Sequence, residues 1–227
     1  MRIIAPMALA AAAVFVAFPA AAATPRELLV SAAFSTADKG VALARIAAAE
    51  KASAAMLARN PGNEDAKLQH AIAIGYRGQL NRSMRDVKAA RRAFEALAAA
   101  VPRDPEAQMA LAGWHLGTII ELGSLGARAA LGARREVGVA ALDRAVSLGR
   151  GQAFFPGYAS MLRIRLNPAD VAAARQLAEA AVKAPATTPL DRLVKQRAAA
   201  LLVPLRAGKG KEAAALAKKL MAFGRIG

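Results

Sequence analysis

Residues 86–105 read DVKAARRAFEALAAAVPRDP, and this stretch decides the fold. Val87, Ala90, Phe94, Leu97 and Val101 recur at intervals of three and four, so they share one face of a 3.6-residue helix. Arg85, Lys88 and Arg92 form a second stripe that faces solvent. Pro102 stops the helix, because it lacks an N–H and crowds the preceding turn. Asp104 is placed to cap a following helix with Pro105 at its first position. One amphipathic helix cannot bury its stripe alone, so the stretch requires neighbours of the same kind.

Weaker copies lie on both sides. Toward the N-terminus the pattern predicts a short helix over 27–34 and a long one over 37–59, with Val41, Ala44, Ala48, Met56 and Leu57 as its apolar points. Asn60-Pro61-Gly62-Asn63 breaks the chain, and Asn63 starts a helix over 64–81 with Leu68, Ala71, Ile72 and Tyr76 inward. After the opening stretch comes a helix over 106–122 carrying Met109, Ala112, Trp114, Leu116, Ile119 and Ile120. Three glycines in GSLGARAALG, residues 123–132, predict a turn with an irregular extension. Further helices are expected over 134–148, 154–166, 169–184, 189–206 and 211–223. Pro61 to Pro102 is 41 residues and Pro102 to Pro185 is 83, close to two such steps with Gly149-Arg150-Gly151 between them. That spacing predicts an all-α superhelix of about four stacked helix-turn-helix pairs over 37–227, behind a short capping segment at 24–36.

Composition agrees with the helical class and narrows the chemistry. Aromatics are 4% of 227 residues, alanine dominates the apolar fraction, and few segments alternate with period two. There is no cysteine, hence no disulfide, thiolate nucleophile or metal thiolate site. Residues 1–23 carry one charge at Arg2, an apolar middle with Phe15 and Phe18, and Ala21, Ala22 and Ala23 before Thr24. This is the layout of a cleaved secretory signal, which predicts a periplasmic or secreted protein. An uncleaved membrane anchor is the competing reading, and Pro19 followed by small residues favours cleavage.

The opening pattern resembles the second helix of a tetratricopeptide-type repeat. In that family a small residue is followed by a large one four later, a small one three after that, and Pro five further on. Ala90, Phe94, Leu97 and Pro102 match with Leu for the second small residue, and Ala173, Leu177, Ala180 and Pro185 match more fully. The resemblance implies a right-handed superhelix whose concave surface grips a peptide or helix of another protein. The 41-residue step is longer than the family's 34, and the first-helix signature is limited to hints at Trp114, Leu116 and Gly117.

No catalytic constellation stands out. His70 and His115 lack a second ligand at metal-binding spacing, so neither metal nor cofactor is expected. Glu64, Asp65 and Asp104 sit at helix starts, where capping accounts for them. Glu121 lies within an apolar helix and is expected to pair with an arginine of the next helix. No serine has a Gly-x-Ser-x-Gly setting, and Gly208-Lys209-Gly210-Lys211 lacks the strand and the full spacing of a phosphate loop.

Charge is more informative. The formal net charge is +16. Residues 186–227 hold nine Lys or Arg against Asp191 and Glu212, and residues 82–103 hold six against Asp86 and Glu95. Such patches attract anionic partners. Export and the scarcity of aromatics disfavour nucleic acid, leaving anionic envelope polymer or a membrane surface as the electrostatic alternative. The leading expectation is a non-catalytic adaptor that binds a protein or peptide in its groove. The candidate contact residues on first helices are Gln69, Tyr76, Arg77, Trp114, His115, Tyr158, Arg163, Lys195 and Gln196.

Overall fold

The computed structural model describes residues 23–226, so the signal-peptide expectation for residues 1–23 falls almost wholly outside the described residues. It contains α1 (Pro25–Phe34), α2 (Lys39–Arg59), α3 (Glu64–Asn81), α4 (Met84–Ala100), α5 (Pro105–Leu131), α6 (Arg135–Leu148), α7 (Phe154–Leu166), α8 (Val171–Lys183), α9 (Pro189–Arg206) and α10 (Gly210–Leu220), with no strand among the described residues. The all-α class and the superhelix of paired helices are as the sequence predicts. No described helix is long and apolar enough to cross a membrane.

Local chemistry sets the helix ends. Thr24, Asp38, Asn63, Ser83, Asp104 and Thr188 each accept a backbone N–H of the first turn through their side chains, satisfying donors that a helix start leaves unpaired. Pro occupies the first turn of α1, α5 and α9. Gly123 corrects one expectation. Residues 124–131 are helical, not an irregular turn; within α5 Gly123 alone leaves the helical region (φ 72°, ψ 160°) and kinks it. The helix resumes because Ala127 and Leu131 find burial (0% and 5% exposed), and it ends at Gly132 in the left-handed conformation.

Consecutive helices pack as α1 on α2, α3 on α4, α5 on α6 and α7 on α8, and first helices also touch across pairs, as in α1 with α3, α5 with α7 and α7 with α9. The starts of neighbouring first helices meet in two sets. Arg26 of α1 bridges Asp65 of α3 (2.6 Å) and Glu106 of α5 (2.8 Å), while Asp191 of α9 accepts the Phe154 N–H of α7 (3.0 Å). The segment expected as a cap, residues 24–36, supplies α1, which packs on both α2 and α3. First helices begin 39, 41, 49 and 35 residues apart, so the step is near 41 where the sequence showed it and irregular beyond.

The last pair departs from the series. α10 packs on α7 as well as on α9, and α7 is enclosed by α5, α6, α8, α9 and α10. Its residues Phe155, Ala159, Ser160, Met161, Leu162 and Ile164 are all at most 1% exposed. Three residues after α10, Phe223 joins a cluster with Leu29, Ala33, Phe34, Ile46 and Ala73 of the first helices. The array is therefore closed on itself, first pair to last.

Register is the second correction. The expected stripe of α8 was Ala173, Leu177 and Ala180, but Ala174, Ala178 and Ala181 are the buried residues (all 0%) and Ala180 is exposed. In α2, Ala42, Ile46, Ala49 and Ser53 face inward, while Val41, Ala44 and Ala48 are exposed. Both helices carry alanine on every side, so the apolar letters leave the facing residue undetermined.

Arg77 ties three helices. Its guanidinium meets Glu50 of α2 and Asp86 of α4 (2.9 Å), and its affinity for the proton rises because both carboxylates hydrogen-bond it. Gly78 beside it lets α3 and α4 close up, since a Cβ there would lie 2.9 Å from the Val87 nitrogen. Arg77→Met is expected to lower unfolding free energy by about 1–2 kcal/mol, a partly exposed pair being worth less than a buried one. Urea denaturation of the two chains measures it.

Candidate inner-face recognition site

The nine expected contact residues have different fates. Three are buried and present no surface, which corrects their assignment. Gln69 (3% exposed) donates to Asp65 (3.1 Å), Trp114 (8%) donates its indole N–H to the Val87 carbonyl (2.9 Å), and His115 (0%) accepts the Arg134 backbone N–H at Nδ1 (3.2 Å). The Trp114 and His115 bonds fasten one helix to the next while that of Gln69 stays within α3, as buried polar groups must find partners. Others are half-buried struts. Arg77 is described above; Arg163 pairs with Asp143 (2.7 Å) and Asp170 (3.3 Å), and Lys195 donates to the Ala184 carbonyl (2.8 Å) at the end of α8. Gln196 is exposed.

Tyr76 and Tyr158 remain, and the fold brings them together. Tyr158 stands near enough for its charge to act on Tyr76, and burial raises the pKa of both phenols, that of Tyr158 to about 12. Both are thus neutral donors at physiological pH. Phe154 stacks on Tyr158 with ring centroids 5.7 Å apart. The charges of Arg165 and Arg197 reach Tyr158 and pull against the effect of burial.

These two arginines are functional candidates that the sequence reading did not single out. Arg165 of α7 pairs with Glu121 of α5 (2.9 Å), so that carboxylate finds its arginine two helices on rather than on the next one as expected, and Arg165 touches the Met221 sulfur (3.8 Å). Arg197 of α9 sits 4.6 Å over the Phe34 ring and donates to the Leu220 carbonyl. Burial, and then the charge of Arg225, push its pKa below the ordinary arginine value. Nothing in the sequence marks either residue, because both are defined by α1, α5 and the C-terminus meeting on α7 and α9.

Residues 221–226 lie on this surface. The Phe223 ring meets Tyr76 edge-on (centroids 4.8 Å, planes at 80°), and the Phe223 N–H donates to the Ala33 carbonyl (2.8 Å). The face therefore offers a main-chain acceptor, a guanidinium for a carbonyl and an aromatic wall. That is the chemistry of polypeptide recognition. Elsewhere the described residues form shallow depressions, such as one of about 330 Å³ beside Val203, Pro204 and Leu216 and one of about 110 Å³ beside Arg128, Arg134 and Arg135. Among the described residues no group of three His, Asp or Glu is placed to hold a metal ion. No family model, curated protein or solved structure matches the chain.

Proposed function

We propose that the protein is an exported, tetratricopeptide-like adaptor that binds a segment of a partner polypeptide on the inner face of its first helices, without catalysis. One observation carries the reading. A non-helical chain segment is already seated there, held by the Ala33 carbonyl and the Tyr76 ring, while the Arg197 guanidinium holds the Leu220 carbonyl at the end of α10 just before it. A surface that holds one segment by main-chain and aromatic contacts has the equipment for another.

The test is capture from an envelope extract with the full chain and with Tyr158→Ala as the control. Recovery of a protein by the first and several-fold less by the second supports the adaptor. Recovery of none, or equal recovery, contradicts it.

A second reading has its own support. Arg85, Lys88 and Arg92 are exposed along α4, whose ion pairs are made instead by Asp86, Arg91 and Glu95. This open cationic stripe suits anionic envelope polymer or lipid head groups at a peripheral membrane contact. Binding of the chain to anionic vesicles should then weaken as salt rises from about 0.05 to 0.5 M, since surface charges are screened within roughly 10 Å.

A further inference from the structure

We propose that residues 221–226 are a built-in competitor for the inner face, and that the partner segment they exclude carries an aromatic side chain flanked by small residues. The proposal rests on the adaptor reading and names what that site takes. Its first support is chemical. The strap fills the site with Met221, Ala222, Phe223 and Gly224; besides the Met221 sulfur against Arg165, its specific contacts are those of the Phe223 ring and the Phe223 N–H, which any aromatic-bearing segment can reproduce.

The second support is conformational. Phe223 has φ 59°, a left-handed conformation that costs a non-glycine residue energy. Gly224 follows where a Cβ would lie 2.3 Å from the Lys218 carbonyl oxygen, so the turn back over the end of α10 accepts only glycine. The strap is bent to reach its seat, and part of its docking energy is spent on that bend. An unstrained segment offering the same contacts has the advantage.

Third, the attachment is local. Helix α10 ends at Leu220, and apart from the Met221 N–H that closes α10 on Ala217, the strap has one main-chain bond to another element, from Phe223 to Ala33; the bonds from Gly224 to Met221 and Ile226 to Phe223 are internal. Lifting it breaks the Arg165 contact with the Met221 sulfur but no backbone bond of α7 or α9, and segments held by few backbone bonds open well before global unfolding. Apparent affinity for a competing segment is then set by the fraction of molecules with the strap lifted.

A fluorescent peptide of residues 218–226, KKLMAFGRI, tests this on the full chain by anisotropy. Phe223→Ala should bind it about tenfold tighter or more than the unaltered chain does, and a peptide with Ala in place of Phe should bind neither. Equal affinity for the two chains, or no binding to either, overturns the proposal. Hydrogen exchange on the unaltered chain provides a measurement independent of the variant's folding. The Phe223 amide should exchange at least about a hundredfold faster than those of Leu201 and Leu205, and exchange at the same rate overturns the proposal. Peptide binding without any partner captured from extract removes the adaptor and leaves the strap; capture without peptide binding does the reverse.

Discussion

An Asp191→Ala chain is expected to lose about 2–4 kcal/mol of unfolding free energy, measured by urea denaturation, more than a surface carboxylate's removal would cost. Asp191 is 1% exposed and serves two helices at once. At the start of α9 it exchanges capping bonds with Thr188, accepting the hydroxyl (2.8 Å) and backbone N–H (3.2 Å), and it also accepts the first N–H of α7 from Phe154 (3.0 Å). Burial alone would raise its pKa; the hydrogen bonds from Thr188, Phe154 and Thr187 overcome this and hold it below the ordinary carboxylate value. Because the folded carboxyl binds its proton more weakly than the unfolded one, its contribution is complete above about pH 4 and is lost as pH falls further. Asp191→Asn should recover part of the loss, since the amide oxygen still accepts. A loss below about 0.5 kcal/mol for Ala would show that α7 and α9 are not joined in this way.

The second large effect concerns His115. Its Nδ1 accepts the Arg134 N–H, so the proton of the neutral ring sits on Nε2, which is buried without a hydrogen-bond partner and lies 3.9 Å from Glu95. Burial, joined by the charges of Arg91 and Arg134, lowers its pKa from 6.5 to about 4, against the opposing pull of Glu95 and Glu136. Between these values the unfolded chain takes up a proton that the folded chain refuses. Stability therefore falls as pH drops from about 6.5 to 4, by up to about 3 kcal/mol, and levels off below. His115→Asn keeps an acceptor for Arg134 and cannot titrate. Thermal denaturation across that range should show a shallower slope for the variant, and superimposable slopes would contradict a buried neutral ring at this position.

The legible part of this fold was punctuation. Proline, asparagine and glycine at 60–63, 102–105 and 185–189 place breaks by local sterics and capping, and the helices end there. Phe94 and Leu97 also fixed the buried face of α4, both at 6% exposure, because large side chains stand out against alanine. Where alanine covers every side, as in α2 and α8, the buried face slipped by one residue from the expected one. Position 123 misled for a related reason: one glycine bends a helix, and the helix formers that follow resume it. The inner face was half legible. Tyr76 and Tyr158 were candidates as large aromatics on first helices, but Arg165, Arg197 and Phe223 become neighbours only because the chain end returns to α1, a contact nearly two hundred residues away in sequence with no local signature.

Photocrosslinking tests the inner face most directly. A benzophenone side chain at Tyr158, on the surface shared with Arg165 and Arg197, is compared with one at Arg175, exposed on α8. Irradiated in its native extract, the Tyr158 chain is predicted to form a discrete adduct with another polypeptide, and the Arg175 chain to form none. An adduct at Arg175 alone, or at neither position, would contradict an inner face made for binding protein.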